Sequence, residues 1–458
     1  MSYLIKSNRT LNLSKIHHQI RKFSSQSLEI PEAKKHLVPV KGTYPKGFKA
    51  TGIHCGIKKN GRKDLSLIIS ERPCTSSAVF TTNIFKAAPV LLSREILDKH
   101  NGQNIYSLVT NSGCANAVTG TKGLANARIM SDAVSKLNGV EESSLVMSTG
   151  VIGQHIPIEK IVNGINQAYE LAKQQITSDE ELHEGWIKSA ESFMTTDTFP
   201  KLRSKQFTLP SGLTYSMAGI SKGAGMIHPN MATLLATVVT DVPISAKALN
   251  EALKHAADRS FNAISIDNDM STNDTFAILA NGAATKDAEK LKIDDLNGRD
   301  FIRFRDDLTE FAADLAKLVV RDGEGATKFV TIHVKGAKSF ADAKQIASTI
   351  STSSLVKTAL YGQDANWGRI LCAVGYAGVS SIIPGKVSVS FVPTDGTAPL
   401  RLLTLGEPEN VDEARASEIL AMEELEISVD LDIGNQEAKM WTCDYSHEYI
   451  SINADYRT

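Results

Sequence analysis

A layered α+β architecture of the αββα kind is what the residues of this chain predict. Three observations point there. Helical and strand-like periodicities are interleaved along the chain. They follow no strict strand–helix–strand repeat of the sort that builds a doubly wound parallel sheet. No internal repeat or low-complexity linker divides the folded region. The length, 458 residues, suffices for two or three ordinary domains or one composite fold with a substantial core. With 42% apolar and 22% charged residues, the chain falls among globular proteins rather than disordered or fibrous ones.

The first stretch stands apart from the rest. Lys6, Arg9, Lys15, Arg21 and Lys22 accompany His17 and His18, and no Asp or Glu precedes Glu29. Leu4, Ile5, Leu11, Leu13, Ile16 and Ile20 are interspersed, with Ser24, Ser25 and Ser27 following. A basic, serine-containing, acid-free segment is the pattern of a mitochondrial transit peptide, and it lacks the unbroken apolar core of a secretory signal. Residues 1–23 are therefore expected to be a transit peptide for the mitochondrial matrix; a disordered basic tail is the alternative.

The body opens with Val38-Pro39-Val40 and a Gly/Lys-rich stretch. Short strands are expected over 65–69, 77–81 and 106–110. Helices are expected over 125–137 and 158–174, where apolar residues recur at three- and four-residue intervals. Residues 200–232, rich in Gly, Ser, Pro and Met, read as loop with short strands. A buried strand is expected over 234–239, then helices over 246–259 and 301–320, the second ahead of the stop signals Gly323 and Gly325. Strands follow over 329–334, 387–392 and 425–431, the last two with clear alternation.

Composition also sets exclusions. Lys+Arg (50) and Asp+Glu (51) nearly cancel, so no general attraction to nucleic acid or to an anionic membrane is expected. An anionic substrate has to be recognised locally. Five cysteines, widely spaced and without a C-x-x-C pair, argue against a disulfide framework or a zinc site and fit a reducing compartment. No apolar run approaches the ~20 residues that span a bilayer.

Chemistry becomes legible between Gly219 and Thr233. Gly219, Gly223 and Gly225 permit close backbone approach or an unusual turn. Lys222, between two of them, is placed to reach a carboxylate as a mobile cation. Pro229 stiffens the approach, and the small Ala232 immediately precedes a threonine that opens an apolar strand.

The run Lys222-Gly-Ala-Gly-Met-Ile-His-Pro-Asn-Met-Ala-Thr-Leu-Leu235 resembles the signature of the ornithine acetyltransferase (glutamate N-acetyltransferase) family. The resemblance extends from Pro45-Lys-Gly-Phe-Lys-Ala50 to the C-terminus. It takes in Val79-Phe-Thr-Thr-Asn83, Lys86-Ala-Ala-Pro89, Asn111-Ser-Gly-Cys-Ala-Asn116 and Ser148-Thr-Gly-Val-Ile-Gly153. It continues through Thr195-Thr-Asp-Thr198, 267–275, Asp322-Gly-Glu-Gly-Ala-Thr-Lys328, Asp364-Ala-Asn-Trp-Gly-Arg369 and 452–458.

This resemblance implies a self-processing fold of the N-terminal-nucleophile type. The Ala232–Thr233 bond would be cut autocatalytically, giving an α chain (24–232) and a β chain (233–458), with an α2β2 assembly expected. The threonine hydroxyl attacks the preceding carbonyl, the acyl group shifts from nitrogen to oxygen, and the ester hydrolyses. Thr233 would then take acetyl from N2-acetylornithine and pass it to glutamate. The resemblance makes Thr149 and Gly150 the oxyanion hole. It makes Lys222, Thr233, Glu324, Asn453, Thr458 and one of Thr195 and Thr196, preferably Thr196, the substrate contacts. No cofactor or metal is implied. Some members also use acetyl-CoA as co-substrate, which the residues leave open.

Taken alone, these positions read more blandly: a tight turn at 148–151, an exposed lysine at 222, a solvated carboxylate at 324 and a frayed tail at 453–458. Asp267, Asp269 and Asp274 suggest calcium, but an EF-hand loop would have Gly where Thr272 stands and Glu where Ile278 stands. Loop ordering, packing or support of the site is the expected role of these aspartates, and loop ordering that of His228. Two other functions stay in view: a self-processing aminopeptidase or amidohydrolase of similar fold, in which water is the acceptor, and a non-catalytic relative.

Overall fold

The computed structural model describes residues 29–174, 178–228 and 234–454. Its strands, in chain order, are β1 (Phe48–Ile53), β2 (Leu65–Phe80), β3 (Ile105–Cys114), β4 (Ser144–Val151), β5 (Lys201–Thr208), β6 (Thr214–Lys222), β7 (Leu235–Thr240), β8 (Ile264–Ser265), β9 (Thr275–Ala280), β10 (Phe329–Ala337), β11 (Ser388–Pro393), β12 (Leu400–Thr404), β13 (Glu407–Pro408), β14 (Glu424–Asp430) and β15 (Gln436–Cys443). Its helices are α1 (Ala88–Lys99), α2 (Gly120–Asn138), α3 (Ile158–Lys173), α4 (Asp179–Phe193), α5 (Ala246–Asp258), α6 (Arg299–Arg321), α7 (Phe340–Thr352), α8 (Ser354–Tyr361), α9 (Trp367–Gly375), α10 (Glu413–Ala421) and α11 (His447–Ala454).

The strands form two mixed sheets. One runs β4-β3-β2-β9-β7-β6-β5, with β1 beside β2; the other runs β13-β12-β11-β14-β10-β15-β8. Neither is a parallel doubly wound sheet, and the layered α+β reading holds. Side chains alternating along β7 and β9 show how the first sheet is buried on both faces. Leu235, Val239, Ala277 and Leu279 join a core built with Ile96, Met130, Ile165 and Trp186 of α1 to α4. Ala236, Val238, Phe276 and Ile278 join the other core, with Leu253 of α5 and Phe311 of α6. That second core runs on into Val330 and Ile332 of β10 and Ile346 of α7, so α6 serves both sheets.

Most of the periodic segments form where expected, and the departures have local causes. The runs at 65–69 and 77–81 belong to one 16-residue strand. Glu71, Arg72 and Pro73 between them are exposed, and the register slips between Ile69 and Cys74. Pro73 has no N–H to donate, so the interruption breaks the ladder without ending the strand. The first half of β2 pairs with β3 and the second half with β9.

Within 200–232, expected as loop with short strands, residues 201–222 form a regular antiparallel hairpin of two longer strands. Small residues permit it to lie close under α6: a Cβ on Gly219 would sit 2.7 Å from Leu315 and 2.9 Å from Phe311. Helix α4 has a readable start, because the Ser178 hydroxyl accepts from Glu181 N–H and the Glu181 carboxylate accepts from Ser178 N–H, a capping box.

No helix among the described residues is long and apolar enough to cross a membrane. Where β1 meets α4, the fit allows no side chain at Gly52, whose Cβ would fall 1.9 Å from the Lys188 carbonyl oxygen. Gly52→Ala should therefore push β1 off α4 and lower stability by ~1–3 kcal/mol, the usual cost of overpacking. Denaturant unfolding checks this; an unshifted midpoint would refute the tight contact.

Candidate active site

Four strand ends of the first sheet converge. The C-terminal ends of β4 and β6 and the N-terminal ends of β7 and β9 open onto one cavity of about 140 Å³. Its wall includes Thr149, Gly150, Thr195, Thr196, Lys222 and Glu324, with Asn453 reaching in from α11. That size is below the ~300 Å³ at which pockets for drug-sized ligands begin, and it suits a small amino-acid derivative. Of the residues singled out from the sequence, these seven come together. Ala232, Thr233 and Thr458 lie outside the described residues, as do Pro229 and the 1–23 segment. Leu234, the first described residue after the gap, lines the cavity.

Each side chain is held by its surroundings. Strand β4 runs parallel to β3, pairing Ser112 with Thr149 and Gly113 with Gly150. Gly150 adopts φ +127°, and a Cβ there would lie 2.3 Å from the Gly113 carbonyl carbon. Only glycine fits such a close backbone crossing. Asn273 pins the same corner, donating from its amide nitrogen to the carbonyls of Ala115 (2.6 Å) and Ser148 (2.8 Å). Ser148 Oγ in turn donates to Asn111 Oδ1 at 2.6 Å.

Lys222 ends β6 and donates to Thr149 Oγ1 at 3.3 Å. Burial lowers its pKa; Lys201 lowers it further, while Asp197, Asp274 and Glu324 oppose the fall. No carboxylate lies within ion-pair distance of its Nζ among the described residues. It is a lysine with an incomplete shell, facing a cavity. Glu324, read from the sequence as a solvated loop carboxylate, is instead 9% exposed. Its N–H donates to the Ala224 carbonyl at 2.8 Å, and its Oε2 accepts from Asn453 Nδ2 at 2.8 Å. A Cβ on Gly225 would fall 2.3 Å from that same oxygen, so the glycine makes room for the carboxylate.

Sequence reasoning missed the network beneath these groups. Lys201 Nζ, fully buried, donates to Asp197 Oδ1 and Asp322 Oδ2, each at 2.6 Å. Asp197 also accepts from Gly223 N–H (2.7 Å) and Thr195 N–H (2.8 Å). Asp322 takes Thr198 N–H (2.9 Å) and, from well outside the sheet, Lys34 Nζ (2.8 Å). The partners lie up to 288 residues apart, and no local pattern announces them.

The Asp267 carboxylate accepts from Met226 N–H (2.6 Å) and Ile227 N–H (2.8 Å), with Tyr449 Oη at 3.3 Å. It orders the loop that approaches residue 229, the role expected of it. His228 has no hydrogen-bond partner at its buried Nδ1 among the described residues, and burial lowers its pKa.

A family model, the ArgJ family, matches residues 49–458. The chain belongs to the ArgJ family. It is 56% identical over 464 residues to the mitochondrial arginine biosynthesis bifunctional protein ArgJ of Neurospora crassa, covering 98% of this chain and 96% of that one. The protein of the same name from Yarrowia lipolytica is 54% identical over 445 residues, covering 96% of this chain and all of its own. The crystal structure of the ArgJ protein of Bacillus halodurans is 36% identical and covers 48% of this chain and 97% of its own, with a TM-score of 0.43.

Two outcomes are expected of the Lys201 network in this ArgJ-family chain. Lys201→Met leaves Asp197 buried without its ion-pair partner and Asp322 with Lys34 alone, a change worth ~3–5 kcal/mol of lost stability; unfolding in denaturant measures it. The second concerns pH. Burial raises the Asp197 pKa, but Lys201, Lys222 and the Gly223 N–H outweigh burial and hold it well below the usual carboxylate range. The resulting stability is present above the ordinary value of ~3.9 and is lost as pH falls from there towards the folded value. Stability measured across that window should fall more steeply in the native protein than in Asp197→Asn; equal slopes would refute the assignment.

Proposed function

We propose that this cavity is the acetyl-transfer site of a glutamate N-acetyltransferase, which moves acetyl from N2-acetylornithine to glutamate through an ester on Thr233. The protein is a mitochondrial acyltransferase of arginine biosynthesis, as its membership of the ArgJ family and its mitochondrial relatives support. The observation that carries the site is convergence. Thr149, Gly150, Thr196 and Lys222 come from before position 233, Glu324 and Asn453 from after it, and all line one small cavity.

The chemistry runs in two halves. Autocatalytic cleavage between Ala232 and Thr233 gives the α chain (24–232) and the β chain (233–458), and frees an α-amine beside the Thr233 hydroxyl. With an ordinary pKa of ~7.7–8.0 that amine serves as a base near neutral pH. Thr233 attacks the acetyl carbonyl, ornithine leaves, and glutamate then attacks the ester. Charge developing on the carbonyl oxygen is met at Thr149 and Gly150, where a lost donor costs ~3–4 kcal/mol of transition-state stabilisation.

Lys222 holds the α-carboxylate common to donor and acceptor, which explains why one site serves both. Glu324, kept in place by Asn453, faces the ammonium group of ornithine. Thr458 completes the substrate contacts from the C-terminal tail. Transfer needs no metal or cofactor, and acetyl-CoA enters only as a second acetyl donor. The two chains remain together as α2β2 in the mitochondrial matrix, after loss of a transit peptide ending near residue 23. Lys34, tied to Asp322, lies safely beyond such a cut.

Thr233→Ala should give a single uncut chain with no transferase activity, checked by mass spectrometry and by acetyl exchange between N-acetylornithine and glutamate. Lys222→Ala should still cut, at least in part, but raise KM for both amino acids; an unchanged KM would contradict its role.

A further inference from the structure

One carboxyl in the cavity wall has no part in the scheme above. Asp274 immediately precedes β9 and is 2% exposed. It lines the cavity with Lys222, Thr149 and Glu324, and its Oδ2 has no hydrogen-bond partner among the described residues. Backbone bonds fix its position: its carbonyl accepts from Thr81 N–H (2.9 Å), and the next residue, Thr275, donates to the Leu234 carbonyl (2.8 Å). A buried carboxyl oxygen left without a partner costs ~1–3 kcal/mol, so a group so placed is open to a partner that enters the cavity.

We propose that Asp274 is a further catalytic residue, the acid that protonates the departing nitrogen of N-acetylornithine and the base that takes a proton from the attacking nitrogen of glutamate. The inference rests on the acetyl-transfer reading. An N2-acetylated amino acid bears its carboxylate and its scissile amide nitrogen on one carbon. If Lys222 holds the carboxylate, the nitrogen must lie close by, and Asp274 is the neighbouring carboxyl with an oxygen, Oδ2, that no described residue hydrogen-bonds.

Its charge state suits the role. Burial raises the Asp274 pKa well above the usual carboxylate range, while Lys222 and Ser271 pull the other way. The charged groups that act on this pair from the surrounding elements are Asp197, Lys201, Glu324 and Lys58. That direction favours the protonated form, which is the form the role requires.

The protons balance over the cycle. In the first half the acetyl carbon–nitrogen bond breaks and a carbon–oxygen bond to Thr233 forms. The hydroxyl proton passes to the Thr233 α-amine, and the Asp274 carboxyl proton passes to the ornithine nitrogen. The Asp274 carboxylate left behind is stabilised by Lys222. In the second half the glutamate amine attacks the ester and gives a proton to Asp274. The Thr233 ammonium returns its proton to the threonine oxygen as that carbon–oxygen bond breaks. Both groups end as they began.

Leaving groups separate this role from a structural one. An amide nitrogen needs a proton to depart, whereas the p-nitrophenolate of p-nitrophenyl acetate does not. Asp274→Asn keeps the shape but cannot exchange a proton. It should be cut like the native chain and should acetylate itself from p-nitrophenyl acetate within about threefold of the native rate. Its kcat with N-acetylornithine should fall ~10²–10⁴-fold, the usual worth of a general acid, with KM little changed. Equal loss with both donors, no loss with the amide, or an uncut variant would each overturn the proposal.

The native enzyme supplies a test independent of any variant. Single-turnover acetylation should fall at high pH with the amide donor, as Asp274 loses its proton, but not with the ester; parallel pH profiles would overturn the role. If the native enzyme failed to take acetyl from N-acetylornithine at all, the acetyl-transfer reading itself would fall first.

Discussion

The ammonium of Lys201, shared between Asp197 and Asp322, is the interaction on which the geometry of the site depends. All three side chains are buried, with Nζ–Oδ distances of 2.6 Å on both sides. Burying three charges costs several kcal/mol per ion before the attraction between them is counted. Hydrophobic residues of similar volume would stabilise the fold as well or better, so stability alone does not explain the network. Connectivity does. Asp197 holds Thr195 and Gly223 through their N–H groups, and Asp322 sits two residues before Glu324. One lysine thus sets three stretches of cavity wall relative to one another, and Lys34 adds a fourth segment from the N-terminal side.

The same logic extends to the strand ends. Polypeptide that lines a cavity cannot also complete its hydrogen bonds within a ladder, so side chains must do it. Asn273 does so for Ala115 and Ser148, and Asp267 for Met226 and Ile227. Met226 adopts φ +56°, unusual for a residue with a long side chain. The two N–H bonds to Asp267 hold it there, immediately before the stretch that leads to Thr233.

How much of this was legible in the sequence depended on the range of the interaction. Periodicity located α2, α3, α5 and α6, and the buried strands β3, β7, β10 and β14, because those patterns repeat within a dozen residues. It split β2 in two, since Glu71-Arg72-Pro73 breaks the pattern although the neighbouring strands carry the chain through. Helix α4 was overlooked despite a readable capping box at Ser178 and Glu181. In the site, Lys222 and Thr149 were legible through the family motifs, whereas Lys201 with its partner 121 residues away was not. Asp274 was visible only as one of three aspartates that suggested calcium. Its lack of a partner is a property of the folded cavity, and no spacing encodes it.

Charge in the cavity is arranged to favour change rather than rest. Asp197 carries a charge that Lys201 already balances. Lys222 lies without a close anion among the described residues, and burial disfavours the cation that its proposed hold on a carboxylate requires. Asp274 lines the same cavity, and burial raises its pKa well above the usual carboxylate range. In the proposed reaction a carboxylate arriving at Lys222 would satisfy the lysine and at the same time reduce the pull that Lys222 exerts on the Asp274 proton. In that proposed reaction, filling the site would make Asp274 still less acidic before it gives up a proton. Release becomes favourable only as the amide nitrogen gains basicity, when its bond to the acetyl carbon weakens. Two groups that would each be costly alone in a buried wall are thus matched to an intermediate of the reaction, a pairing of opposed environments that marks acid–base chemistry more reliably than either residue would by itself.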